Sequence, residues 1–140
     1  MRIAIASDHA GFRYKTRLAA ELAAAGHNVT DMGTDSTESV DYPVVIRPLA
    51  EAVGRGDFDR GIIVGGSGNG EAMVANRVSG VRCSLCWSED SARLARQHND
   101  ANVLSLGERL LTPEEASRIV EIWTTTDFEG GRHQRRIDQF

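Results

Sequence analysis

Residues 60–77 read RGIIVGGSGNGEAMVANR, and the order of residue types within them decides the fold. Gly61, Ile62, Ile63 and Val64 make a short apolar run bounded by turn residues, the pattern of a strand buried on both faces of a parallel sheet. Gly65, Gly66, Gly68 and Gly70 then put four glycines into six positions, so the backbone can take positive φ and a ligand can approach the main chain closely. Glu71 to Asn76 (EAMVAN) continues with helix-compatible residues. A strand end, a glycine loop and a helix start in that order bring free N–H groups and the positive end of a helix dipole to one place, where anions bind.

Two familiar loops of this kind do not fit. A Walker A loop ends in Gly-Lys-Ser/Thr, but Gly70 is followed by Glu71 and Ala72, an anion where a polyphosphate wants a cation. The dinucleotide pattern G-x-G-x-x-G fits Gly66 and Gly68 but needs a third glycine where Glu71 stands. What remains is a backbone cradle with one hydroxyl, Ser67, and one carboxylate, Glu71, at its rim. That combination suits holding an oxyanion while a base moves a proton. The loop alone also admits a tight strand-to-helix turn in which Glu71 only complements the helix dipole.

Working outward, strands and helices alternate. Arg2–Ser7 reads as a strand and Phe12–Ala25 as a helix with Leu18, Leu22 and Ala25 on one face, stopped by Gly26. His27–Met32 is a second strand, Gly33–Asp41 a polar loop, and Tyr42–Val53 a helix with Pro43 in its first turn. After the glycine loop and its helix come a strand at Val81–Trp87 and a helix at Ser88–Gln97, with Ser88 as N-cap and Glu89 and Asp90 in the first turn. Val103–Leu106 is the fifth strand, and Thr112, Pro113 and Glu115 open a helix reaching Trp123. This alternation predicts an α/β fold, a Rossmann-like three-layer α/β/α arrangement around a five-stranded parallel sheet. The charged tail, 127–140, brings little apolar surface of its own, so it either frays or packs elsewhere.

At 140 residues the chain is one domain's worth, and a single domain over 1–140 is expected. A net charge of −4, with no basic run before the Arg132, Arg135 and Arg136 cluster, gives no support to nucleic-acid binding. No apolar stretch approaches the roughly 18 residues of a membrane span, and MRIAIASDHAG lacks the pattern of a signal peptide, so a cytoplasmic protein is expected. Cys83 and Cys86 have C-x-x-C spacing, but in a strand side chains three apart point to opposite faces, and no second pair completes a zinc set. They are read as structural thiols.

Ligands of open α/β sheets bind beyond the carboxyl ends of the strands. That rule selects Ser7, Asp8, His9, Ala10 and Gly11 after the first strand, Asp41 and Tyr42 after the second, and the glycine loop after the third. The fourth helix ends in Gln97, His98, Asn99 and Asp100. The strings SDHAG (7–11), Asp41-Tyr42-Pro43, GGSGNGEAMVANR (65–77), RQHNDANVLSLGER (96–109) and FEGGRHQRR (128–136) together resemble the type B ribose-5-phosphate isomerases, a family that also contains galactose-6-phosphate and allose-6-phosphate isomerases.

The resemblance runs nearly end to end and implies roles residue by residue. Asp8 and His98 would open the sugar ring, His98 coming from the partner of a homodimer with shared active sites. Tyr42 would line the sugar site. Gly66, Gly68, Asn69 and Gly70 would hold the enediolate oxygens, with Ser67 assisting proton movement and Glu71 as base. His9, Arg132, His133 and Arg136 match phosphate-end residues, and Asn99 and Arg109 would reach in from the partner. The tail, as a helix, would pack on the dimer partner. Some members carry a Cys base at the start of the glycine loop; that position is Gly65 here, preceded by Val64, so the chain resembles the subgroup in which a Glu takes over.

Aldose–ketose isomerisation needs one base and a stabilised enediolate, which matches this set without redox chemistry. No cofactor and no metal are expected, since Asp8, His9 and His98 lack any spacing that recurs in metal sites. The resulting expectation is a homodimer, or a higher oligomer, that interconverts ribose 5-phosphate and ribulose 5-phosphate, binding neither nucleic acid nor membrane. Two alternatives stay open: the same chemistry on a tetrulose 4-phosphate, galactose 6-phosphate or allose 6-phosphate, and a non-catalytic nucleotide-binding module of the same architecture.

Overall fold

Five strands, each parallel to its neighbours, lie in the spatial order β2-β1-β3-β5-β4. The computed structural model describes all 140 residues. Along the chain the elements are β1 (Arg2–Ser7), α1 (Phe12–Ala24), β2 (Asn28–Asp31), α2 (Tyr42–Gly54), β3 (Arg60–Gly65), α3 (Asn69–Ala75), β4 (Cys83–Leu85), α4 (Glu89–Asn99) and β5 (Val103–Gly107). A 3₁₀ turn (Glu108–Leu110), α5 (Pro113–Thr125) and α6 (Arg132–Ile137) follow. The predicted layered fold, with a tail helix, is the observed one. Chain order reverses between β1 and β3, which pair from Ile3 with Arg60 to Ser7 with Val64. Their carboxyl ends therefore flank the crevice where open α/β sheets take ligands.

Strand alternation divides the core in two. Ile3, Ile5, Ile62, Val64, Leu104 and Leu106 face a layer made by α1, α4 and α5. Ala4, Ala6, Ile63 and Val103 face α2 and α3. The small residues of β1 on the second face leave room for Ile46, Leu49, Ala50 and Val53 of α2 to lie close to the sheet. Trp123 is fully buried, and its ring lies between the guanidinium groups of Arg60 and Arg96, 5.1 and 5.9 Å from the centroid. Those arginines also donate to the Trp123, Thr124 and Ala101 carbonyls, so they tie the ends of α4 and α5 to the amino edge of the sheet.

Local signals place most element ends. Ser88 and Thr112 both complete capping boxes, with Ser91 and Glu115 as the reciprocal partners. Gly26 has φ 87°, a left-handed stop after α1. Cys83 packs with the α2–α3 core and Cys86 with the opposite one, so the two thiols lie on opposite faces as strand geometry requires. Burial pushes both thiols up, Cys86 to about 11, which keeps them protonated and unreactive at neutral pH.

Three expectations are corrected. The fourth strand is Cys83–Leu85 rather than Val81–Trp87, because it is an edge strand with one neighbour and its entry is tied by side-chain amides: Asn102 accepts from Arg82 N–H and Asn76 from Cys83 N–H. The glycine-loop helix begins at Asn69, not Glu71, since Gly68 already supplies the first helical carbonyl to Ala72. On α1 the buried face is Lys15, Leu18 and Leu22, while Ala25 is exposed. The tail also has a place in its own chain. Glu129 N–H donates to the Gln97 carbonyl, and α6 buries His133 and Ile137 at the end of α4.

Candidate active site

Gly65 ends β3 and Gly68 turns the chain into α3 with φ 77°. Ser105, wholly buried on β5, donates its hydroxyl to the Gly68 carbonyl at 2.7 Å, turning that carbonyl inward. In a trans peptide the following N–H, that of Asn69, points the other way, toward the open side of the loop. Ser67 is exposed there, its Oγ accepting from Asn69 N–H at 3.3 Å. Closely packed backbone fixes the loop from beneath: a Cβ on Gly107 would stand 2.6 Å from the Ser67 carbonyl oxygen, and one on Gly68 would meet Leu85 and Leu106.

Glu71 is 4% exposed, in the first turn of α3. Its carboxylate fills the space a side chain at Gly65 would occupy, with Oε1 1.9 Å from where that Cβ would stand. Glycine at 65 is thus the steric condition for glutamate at 71. Burial raises the Glu71 pKa; a backbone N–H bond opposes the rise and the nearby Asp8 carboxylate adds to it. A carboxylate kept dry at the mouth of an anion cradle is equipped as a proton acceptor.

Asp8 is buried beside it at the end of β1, with Oδ1 accepting from the N–H groups of Ala10 and Gly11 at 3.0 and 3.1 Å. Gly11 must be glycine, since a Cβ there would stand 2.4 Å from the Val64 carbonyl oxygen. His9 Nδ1 lies 3.2 Å from the Val40 nitrogen and 3.3 Å from the Val40 carbonyl oxygen, so the Val40 backbone holds the ring at Nδ1 in either tautomer and leaves Nε2 free. Tyr42 opens α2 with its ring against Gly70, 2.7 Å from where a Cβ would be. Arg109 N–H donates to the Gly66 carbonyl at 3.0 Å, and its guanidinium lies over Gly66. It stands, in the single chain, at its own glycine loop rather than at a partner's.

The remaining expected residues gather elsewhere. Helices in this fold run back from the carboxyl to the amino edge of the sheet, so His98 and Asn99 end α4 at the far edge. The chain then enters β5 through Asp100, Ala101 and Asn102. The five residues of β5 alone separate the two edges by about 16 Å at 3.3 Å per residue. At the far edge the His98 and His133 rings stack at 4.2 Å with an 8° interplanar angle. Arg132 and Arg136 lie one turn apart on exposed positions of α6. Burial lowers the His133 pKa, with His98, Arg132 and Arg136 adding to the effect and Glu129 opposing it. His98, Glu129 and His133 bring ligand atoms within 4.8 Å of one another, but nitrogen lone pairs lie in the ring planes, and nearly parallel rings do not converge them on one ion. Two arginines beside them favour an anion.

One chain therefore carries the residues of the expected site as two half-sites. Asp8, His9, Tyr42, Gly66, Ser67, Gly68, Asn69, Gly70, Glu71 and Arg109 stand at the carboxyl edge; His98, Asn99, Arg132, His133 and Arg136 stand at the amino edge. Sequence reading selected Gly11 by its place after the first strand and missed the supports beneath the loop, Ser105 and Gly107. A glycine at a strand end marks a close backbone approach and could have signalled Gly107; a serine among apolar strand residues gave no such mark.

The family model of the ribose/galactose isomerases matches residues 3–140. The chain belongs to that family. Ribose-5-phosphate isomerase B of Escherichia coli K12 is 43% identical over 98% of this chain and 92% of its own length. Among solved structures of the family, the ribose-5-phosphate isomerase B of Clostridium thermocellum has a TM-score of 0.98 and 45% identity, covering 99% of this chain and 94% of that one. The enzyme of Mycoplasma genitalium, solved with bound ribulose 5-phosphate, has a TM-score of 0.95 and 44% identity, covering 99% and 92%. No helix is long and apolar enough to cross a membrane.

Proposed function

We propose that this member of the family interconverts ribose 5-phosphate and ribulose 5-phosphate through an enediolate, with Glu71 as the base. The observation that carries the reading is the buried Glu71 carboxylate beside the anion cradle; the substrate follows from the relatives named for it and from ribulose 5-phosphate in one of them. Asp8 and His98 open the ring: one accepts the anomeric hydroxyl proton while the other gives a proton to the ring oxygen. Glu71 then takes the proton from C2, the C–H electrons form the C1–C2 double bond, and negative charge falls on the carbonyl oxygen. N–H groups of residues 66–70 hold that oxygen. The Ser67 hydroxyl relays the proton between O1 and O2, and protonated Glu71 returns its proton to C1. Metal and cofactor are not called for by these steps.

His9, Arg132, His133 and Arg136 take the phosphate, whose dianion suits a guanidinium pair. Because the half-sites sit at opposite edges, the complete site joins the carboxyl edge of one chain to the amino edge of another, and Asn99 enters with His98. A two-fold homodimer satisfies this twice. Such an enzyme works in the cytoplasm, where its phosphorylated substrate is found.

The test is an assay of phosphorylated aldoses of four to six carbons, with wild type and Glu71→Gln. Ribose 5-phosphate should give the highest kcat/KM, and Glu71→Gln should lower kcat by about two to four orders of magnitude. A hexose or tetrose phosphate turned over faster than ribose 5-phosphate would reassign the substrate. Undiminished turnover by Glu71→Gln would reassign the base.

A further inference from the structure

Lys15 is 1% exposed, one turn into α1, and its ammonium has no role in the chemistry above. Burying a lysine is unfavourable unless its charge is matched and its protons are taken up. Here Nζ donates to Asp31 Oδ2 at 2.5 Å and to the Thr34 carbonyl at 2.6 Å, and lies 5.3 Å from the Phe12 ring centroid. Asp31 ends β2, and Thr34 lies at the start of the segment joining β2 to α2.

That segment, 32–41, is held at its two ends. At the first, Asp31 Oδ1 accepts from Gly33 N–H, Thr34 N–H donates to the Ser7 carbonyl, and Gly33 lies so close to β1 that a Cβ would stand 2.4 Å from Ser7 N. At the second, Val40 N–H meets His9 Nδ1, and Tyr42 follows directly. Between them the loop has only its own short turns, Ser36 N–H to Thr34 Oγ1 and Glu38 N–H to Ser36 Oγ. Lys15 is the buried side chain that fastens the loop from the layer beneath it, and the far end of the same loop holds the His9 ring at Nδ1.

We infer that Lys15 is a positioning residue for the phosphate end of the site: it pins the β2–α2 loop, and the loop holds the His9 ring at Nδ1 so that Nε2 is left for the ligand. The inference rests on the proposed phosphate role of His9. Unpinned, the loop lets the Val40 contact come and go, and the His9 ring loses its fixed orientation.

Lys15→Met keeps the aliphatic stem and removes the charge, and the Asp31 side chain it leaves is 46% exposed and can hydrate. The variant should melt as a single cooperative transition, raise KM for ribose 5-phosphate about tenfold, and leave kcat within about threefold of wild type. Proton spectra of the imidazoles, with His9 assigned by His9→Gln, should show cross-relaxation between the His9 ring and Val40 in wild type and its loss in Lys15→Met. A folded variant with wild-type KM, or with raised KM and the His9–Val40 contact intact, overturns the inference. If Lys15→Met does not fold, Asp31→Asn carries the test: loss of the His9–Val40 contact supports the pin and its retention overturns it. Should wild type prove inactive on every phosphorylated sugar, the functional reading fails, while the contact still decides whether Lys15 positions His9.

Discussion

Burial makes Glu71 a stronger base and at the same time disfavours the ionised form in which it acts. Its site disfavours the charged form, so the acid limb of kcat/KM should lie above the ordinary carboxylate range, with activity rising as pH climbs through it. The same shift acts on stability. The folded chain binds the Glu71 proton more tightly than the unfolded chain does, so the contribution is favourable at low pH and is lost as pH rises through the raised value. Glu71→Gln should therefore melt above wild type at neutral pH, and the gap should close as pH falls below the usual glutamate range; thermal melts across pH measure it. At the neighbouring position, Gly65→Ala places a methyl where the carboxylate lies and forces Glu71 aside. A displaced base should cost on the order of 10²-fold in kcat while the fold is retained, as checked by circular dichroism. Cys83→Ser and Cys86→Ser should keep the chemistry, since both thiols stand in the cores and outside both half-sites.

At the scale of elements, ends that depend on one or two local residues were legible in the sequence. Ser88 and Thr112 announced α4 and α5, and each replaced by alanine should lower the unfolding free energy by about 1 kcal/mol in urea titrations. The glycine loop was legible as a strand-to-helix junction because an apolar run leads into its glycines and helix-compatible residues follow them. Elements set by distant partners were less so. The fourth strand shortened because it has one neighbour and because Asn76 and Asn102 intercept its amides, a fact held by residues 7 and 20 positions away. Nothing in the sequence marked Lys15, since its burial depends on Asp31 and Thr34 across the layer. Ser105 was invisible for the same reason: its partner, the Gly68 carbonyl, is 37 positions back in the chain.

For the whole molecule, the consequence is the division of one chain into two half-sites. The residues themselves were legible as strings, but their separation depends on the direction of α4 and the place of α6, which are properties of topology. Glu71→Gln and His98→Asn homodimers should each be impaired. Co-refolded in equal amounts with random pairing, half the dimers are mixed, and each of these holds one intact site and one carrying both lesions. Recovery should approach about one quarter of wild-type activity, read on samples whose mixed dimers are verified by differential tags. Mixing that restores nothing would place both residues in one chain's site. In the proposed dimer the division also ties catalysis to mass action. A lone chain has Glu71, the proposed base, at one edge of its sheet and Arg132 and Arg136, proposed to take the phosphate, at the other, so dissociation would remove the site without unfolding the chain. Below the dimer dissociation constant, turnover per chain should fall in proportion to chain concentration while each chain's circular dichroism spectrum stays the same, and saturating substrate, which bridges two chains, should hold the dimer together at dilutions where the empty protein comes apart.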